Sequence, residues 1–532
     1  MSKLVSDGGL TRSAAASAIF ISVSFASSSA FADCATSGSG PVTLTCSGTF
    51  ATTNTANGAS PNPDTTDRIQ AFSDSVNATV NSGAVISGTG LAPNSNQNGS
   101  TVSLTNNGSI TGNINAAVTV GGSGNSTLSY SGSGSVTGSG AVGALQLAGA
   151  GSGTTTATIS GTSVIKSQAA GGVFNAFGIQ TTGTSGAVNV TVLNGGVVQG
   201  NNAIQFDGTG SNTLTNSGIV GTNLATTPGT VATNGVSANI ASNNSITVIN
   251  HGTGVISGSN TGIITGSGGS VAITNDLGGS ITGTNTTLAM GANAASVGIA
   301  AGSVTGSNAG TISGSTHGID TSGSLPGGGL GTSVNLTSNS GTIQGTATVA
   351  SGFKVGSGIM AETSVTIGTN SGTISGGLDG ITTVNSFVMV NNNTGTISGL
   401  SGSGIAASGA ATVTNASTGQ ITGLVAGIRG VDVTATNSGT ISATGGGISS
   451  TGVLSVINNS GATISGATGI AANGTSAAIT NTVTNNGMIT GIGGASGTGI
   501  GINLSGGTSI TNNITNNSGA TISGTGLIGE VF

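Results

Sequence analysis

Through most of the chain, single Ile, Val or Leu residues alternate with Ser, Thr, Asn and Gly in short runs, each closed by a Gly- or Asn-containing break. Period-two alternation of this kind predicts half-buried β-strands, with the aliphatic residue inward and the hydroxyl outward. No stretch beyond residue 32 keeps a helical period, and each Gly would cost a helix up to about 1 kcal/mol. The runs also repeat. NSGTISG at Asn370–Gly376 returns as NNGSITG at Asn106–Gly112, NAGTISG at Asn308–Gly314, NSGTIQG at Asn339–Gly345 and NTGTISG at Asn393–Gly399. Further copies are NSGTISA at Asn437–Ala443 and NNGMITG at Asn485–Gly491.

The aliphatic residue of this motif serves as an anchor. Seventeen positions fit: Ile86, Ile110, Val136, Ile159, Val198, Ile219, Ile256, Ile281, Ile312, Ile343, Ile374, Ile397, Ile421, Ile441, Ile464, Ile489 and Ile522. Ten of the sixteen gaps fall between 20 and 26 residues, and the longer ones read as one coil plus an inserted loop. A period in this range signals a solenoid, propeller or array. Two further marks lie inside the period. A Gly-Ile step recurs at Ile359, Ile381, Ile405, Ile428, Ile448, Ile470 and Ile500. Before the next anchor come Val365 and Ile367, Val388 and Val390, Val413, Val431 and Val433, or Ile479.

Three strands per repeat, stacked repeat on repeat, predict an all-β fold: a right-handed, three-sided parallel β-helix of about 17–20 coils. At ~4.8 Å per coil the rod is roughly 80–95 Å long. An Asn precedes the anchor by four residues (Asn308, Asn339, Asn370, Asn393, Asn437, Asn485) or by six (Asn250, Asn275, Asn415, Asn458, Asn516). The difference is even, so the same side of the chain faces inward in both cases. Stacked Asn side chains are then expected to bond their copies in neighbouring coils.

Composition fits this picture and removes others. Of 532 residues, 101 are Gly, 6 are Lys or Arg, 12 are Asp or Glu, one is Tyr and none is Trp. Six basic residues cannot neutralise a phosphate backbone, which argues against a nucleic-acid partner. Disordered chains are charged and weakly apolar, whereas mean hydropathy here is +0.29. Collagen is excluded because Gly has no three-residue period.

Residues 1–32 read as a secretory signal peptide: Lys3 and Arg12, an apolar stretch over 14–25, and Ala30-Phe31-Ala32 before Asp33 as the cleavage site. The apolar stretch is too short to span a membrane, which takes ~20 residues. The only cysteines, Cys34 and Cys46, follow at once, and in an exported chain they are expected to form a disulfide. The expected domains are the signal at 1–32, an N-terminal cap and lead-in segment with the Cys pair at 33–80, and the β-helix at 81–532.

The early Cys pair in the form ADC…TCSGT (Ala32–Cys34, Thr45–Thr49), after a signal peptide and before many NSGTISG coils, resembles an autotransporter passenger domain. These are type V secretion proteins of Gram-negative bacteria. The resemblance covers the whole chain in kind and is specific for architecture and export route. It implies passage through the periplasm to the cell surface or outer membrane, or secretion, with an outer-membrane β-barrel translocator as partner. The chain departs from the family there: residues 440–532 hold one aromatic, Phe532, and lack the ~10-residue alternating strands and aromatic girdles of a barrel. The expectation is a truncated or split product, or a translocator on a separate polypeptide.

Some parallel β-helices are lyases or hydrolases of polysaccharides, which need clustered carboxylates. Beyond Asp74 the acidic residues are far apart in sequence. Asp379 and Asp432 are about two coils apart, which gives ~10 Å if they share a face. That exceeds the ~5 Å of a retaining pair and the ~6.5–9.5 Å of an inverting pair. Exposed, isolated carboxylates are therefore expected. His251 and His317 have no ligand-spaced neighbours and read as solvent-facing or loop residues. No phosphate-loop or protease signature occurs, and GGLDG at Gly376–Gly380 is a single corner rather than a calcium repeat. No cofactor or metal is expected. Residues 51–80, with Pro61, Pro63, Asp64, Asp67, Arg68 and Asp74, read as lead-in and cap.

The expected function is contact. An exported rod is read as adhesive or structural, meeting host, abiotic or sister-cell surfaces and able to self-associate, as in autoaggregation and biofilm. Long loops after Ile159, Ile219 and Ile281 are its expected contact sites. The alternative is a glycan-active lyase or hydrolase. A third reading is an ice-binding face of aligned Thr, which thermal hysteresis would reveal.

Overall fold

The computed structural model describes residues 33–525, except for 38–41, 53–68, 73–74, 89–90, 95–100, 113–117, 123–124, 139–142, 152, 168–176, 185, 223–233, 239–243, 267, 286–295, 323–330, 348–355, 475–478, 494–498 and 506–509. The signal segment, the acidic and proline-rich residues 61–68, Asp74 and Phe532 lie outside the described residues. So do most of the inserted loops expected after Ile159, Ile219 and Ile281. All regular structure among the described residues is strand.

The strands form a right-handed parallel β-helix with three sheets, in which each strand after the first pairs with those three places before and after it. The largest sheet has 19 strands, of which the first is antiparallel and the rest are parallel. We call the three the ladder sheet (for example Ser364–Asn370), the anchor sheet (Thr373–Gly376) and the Gly-Ile sheet (Ile381–Thr383). One pass around the coil visits them in that order.

The anchor sheet stacks its aliphatics in register, with Ile86 on Ile110, Ile110 on Val136, and Ile312, Ile343, Ile374, Ile397, Ile421, Ile441, Ile464, Ile489 and Ile522 following one another. Two anchors differ from the sequence reading. Val136 stacks on Ile165, while Ile159 belongs to the ladder sheet. At the next site Val220 takes the inner place and Ile219 is 44% exposed. The first error comes from a look-alike, since Thr158-Ile159-Ser160-Gly161 copies the motif at the end of a ladder strand. The second arises because adjacent β-branched residues fit either register, and a one-residue slip turns every side chain to the other face. A doubled Gly-Ile step, Gly499-Ile500-Gly501-Ile502, misleads differently: Ile502, not Ile500 two residues before it, stacks on Ile470. Val431 is likewise 42% exposed, and Val433 with Ala435 fills the bore.

A representative coil carries Val365, Ile367 and Asn370 inward on the ladder sheet, Ile374 on the anchor sheet and Ile381 on the Gly-Ile sheet, all fully buried. The ladder strand thus supplies two aliphatics and an Asn to the bore, and the other two strands one aliphatic each. The Gly of the Gly-Ile step is set by close approach. A Cβ on Gly380 would lie 2.6 Å from the Gly404 carbonyl and 2.9 Å from Ile397 Cγ2, the anchor of the next coil.

The first strand, Asp33–Ser37, runs antiparallel along Val42–Ser47 and covers the N-terminal edge. Cys34 is the register partner of Cys46, which is buried and disulfide-bonded. Parallel stacking begins with Val42–Ser47 on Ser75–Val80, inside the segment read from sequence as cap and lead-in.

Candidate functional site

The outward face of the anchor sheet follows from the same alternation that buries the anchors. The residue before each anchor and the residue after it point to solvent, and the T-I-S motif therefore lays down two rows of hydroxyls. One row runs Thr311, Thr342, Thr373, Thr396, Gln420, Thr440, Thr463. The other runs Ser313, Gln344, Ser375, Ser398, Thr422, Ser442, Ser465. Along the second row lies an open groove of about 490 Å³, lined by Gln344, Thr346, Ser375, Ser398, Thr422 and Thr444 with glycines between them. Leu400 and Leu424 form its apolar lip and are 69% and 48% exposed. The groove crosses five consecutive coils, about 19 Å at the coil spacing. Its lining contains no charged and no aromatic side chain. Chemically it offers hydroxyl and amide groups as donors and acceptors, beside aliphatic surface.

The titratable groups are elsewhere, and several are not where the sequence reading put them. Asp320, Glu362 and Asp379 are buried rather than exposed, because each has its own donors. Asp320 accepts from the Ser322 N–H at 2.8 Å and its hydroxyl at 2.7 Å. Asp379 accepts from the Ser403 N–H at 2.6 Å, and Glu362 from the Asn385 amide. Asp379 and Asp432 do not share a face. Asp379 precedes Ile381 at the entrance to the Gly-Ile sheet, whereas Asp432 precedes Val433 of the ladder sheet and accepts from the Val453 N–H. They make no carboxylate pair.

His251 is at the surface, 2.8 Å from Asp276. His317 is buried, contrary to the expectation of a loop residue. Burial pushes its pKa below the ordinary value, while Asp320, 3.9 Å from Nε2, opposes the shift. The Ser357 N–H donates to Nδ1 at 3.3 Å, which requires an unprotonated nitrogen and so favours the neutral ring. Neither His317 nor the buried carboxylates line the groove. Among the described residues no cluster of three or more His, Cys, Asp or Glu is placed to hold a metal ion.

Sequence reasoning named the anchors but missed the groove. The signal was present in the T-I-S motif itself, since residues flanking an inward Ile must face out. No family model matches the chain, and no curated relative or solved structure is similar to it.

Proposed function

We propose that the chain is an exported passenger rod of the autotransporter kind, located at the cell surface or secreted, that works by adhesion or self-association. The observation that supports this reading is the uncharged groove of Gln344, Ser375, Ser398 and Thr422 with its Leu400 and Leu424 lip. Such a surface binds through hydrogen bonds and apolar contact spread over several coils, as an adhesive face does, and repels neither anionic nor cationic surfaces. A translocator barrel remains part of the proposal as the partner in export.

The test is surface retention of the purified full chain on abiotic, glycan-coated and chain-coated supports. Ser375→Lys with Ser398→Lys places two charges in the groove; Thr412→Lys with Thr434→Lys places two on the ladder sheet's outer face as a control. Loss of retention with the first pair alone is the expected result. Equal retention by both variants would overturn the assignment of contact to this groove. Turnover of any glycan that disappears in Glu362→Gln or Asp379→Asn would favour the enzymatic alternative instead.

A further inference from the structure

We propose that Asn194 is a site of spontaneous deamidation, selected by the fold from among the described Asn-Gly pairs. The reaction needs two freedoms. The backbone nitrogen of the following Gly must lose its proton and attack the Asn side-chain carbonyl carbon, and that carboxamide must be able to turn toward it. A nitrogen–carbon bond forms, the bond from that carbon to Nδ2 breaks, and ammonia leaves with the proton, giving a succinimide. Water then opens either succinimide carbonyl and yields aspartate or isoaspartate.

Five described asparagines precede glycine: Asn107, Asn194, Asn234, Asn473 and Asn486. Asn57 and Asn98 also do, and lie outside the described residues. The ladder corners lock two of the five. Gly108 N–H is held by Asn106 Oδ1 at 3.1 Å, and Gly487 N–H by Asn485 Oδ1 at 3.2 Å. In the same two pairs the carboxamide is held as well: Asn107 Oδ1 accepts from the Ser133 N–H, and Asn486 Oδ1 from Asn517 Nδ2. Gly474 N–H is bonded to the Ser505 carbonyl at 3.1 Å. Asn234 is buried in a strand, with its amide donating to Asn202 Oδ1 at 2.9 Å.

Asn194 differs on both counts. With Gly195 it forms the exposed centre of a turn closed by the Gly196 N–H on the Leu193 carbonyl at 3.0 Å. Gly195 has φ of 89°, the left-handed value that a type II turn requires at this place. Neither the Gly195 N–H nor the Asn194 carboxamide has a partner among the described residues. Conversion adds a negative charge at a corner between the ladder strand Val188–Val192 and the anchor strand Val197–Gly200. Isoaspartate also lengthens the main chain of that turn by one carbon.

The test is peptide mapping by mass spectrometry of the folded full chain, aged in mildly alkaline and mildly acidic buffer. Residue 194 is expected to convert to a mixture of aspartate and isoaspartate, faster in alkali. The rate should exceed those at 107, 234, 473 and 486 by about tenfold, because hydrogen bonds must break first at those sites. In denaturant the five rates should draw together. An intact residue 194, a matching rate at any of the other four in the folded chain, or an advantage at 194 that persists in denaturant would overturn the proposal.

Discussion

At the residue scale, single side chains show how narrow the bore is. Tyr130, the chain's one tyrosine, is fully buried on the ladder sheet, and its hydroxyl accepts from Asn106 Nδ2 at 2.9 Å. Burial pushes its pKa up to about 12, although the Asn106 bond favours the phenolate slightly. An unfolded chain loses the phenolic proton near the ordinary value of about 10, so between there and about 12 the folded state holds a proton that the unfolded state has lost. Stability contributed by Tyr130 is therefore complete below the lower value and declines as pH rises through this window. With no Trp to interfere, phenolate absorbance reads the event directly. The expected outcome, about one pH unit above the ordinary tyrosine pKa, is little phenolate signal from the native chain and a nearly full signal from the same chain in denaturant.

Among elements, the ladder of asparagines carries the regularity of the rod. Asn216, Asn250, Asn275, Asn308, Asn339, Asn370, Asn393, Asn415, Asn437, Asn458 and Asn485 each donate Nδ2 to the Oδ1 of the next, ending on Asn516, at 2.7 to 2.9 Å. All but Asn516 are buried. The amide also closes the corner. It donates to Gly310, two residues on, where the Asn stands four before the anchor, and to Gly254, four residues on, where it stands six before. Both glycines lie two residues before the anchor, so one spatial contact serves both corner lengths. In these two coils a side chain would clash, since a Cβ on Gly254 would fall 2.3 Å from Asn250 Oδ1 and one on Gly310 2.2 Å from the Gly279 carbonyl, whereas Ala462 takes the same place before Ile464. Asn370→Ala removes two rungs and leaves the Asn339 donor and the Asn393 acceptor buried without each other. It is expected to cost about 3 kcal/mol in urea unfolding. Asn370→Asp can still accept from Asn339 but cannot donate to Asn393, and it places a charge in the bore. It should therefore be no better than Ala at neutral pH, and a wild-type midpoint for either variant would refute the ladder's stabilising role.

The whole molecule is a one-dimensional stack in which each coil contacts mainly its neighbours, so damage at one place should spread only a short way. At the N-terminal end the antiparallel strand Asp33–Ser37 and the disulfide at Cys46 cover an edge that would otherwise expose unpaired backbone groups. Reduction is expected to remove about 3 kcal/mol from the terminal coils by freeing their chain entropy. Hydrogen exchange should then quicken in 42–47 and 75–80 while the anchors from Ile312 to Ile464 stay protected. Equal loss of protection along the full length would show a single cooperative unit instead.

Much of this architecture is legible in the order of residues, because the same physical requirement recurs in every coil. An inward Ile or Val, a Gly where backbones approach and an Asn at the corner leave a period that local reading recovers. Local reading fails where two neighbouring positions satisfy the requirement equally. Ile219 beside Val220 and Ile500 near Ile502 are chemically interchangeable, and only the neighbouring coil's Val198 or Ile470 decides which faces in. The groove needed the same information, since Gln344, Ser375, Ser398 and Thr422 are far apart in sequence and adjacent only through register.

The sequence by itself determined the coil: its period, its three strands, its aliphatic bore and its scarcity of charge. Tertiary structure decided everything that depends on a second coil. It buried Asp320, Glu362, Asp379 and His317, whose sequence neighbours predict solvent, by supplying donors or cover from their surroundings. It also tied down the glycine nitrogens after Asn107, Asn473 and Asn486 and left the one after Asn194 free. Ser403 for Asp379, Asn385 for Glu362 and Ser505 for Gly474 lie about one turn away along the chain, where register and not sequence proximity sets the partner. The partners of Asp320, Gly108 and Gly487 lie only two residues away, and there the fold decides by fixing the side chain that reaches them.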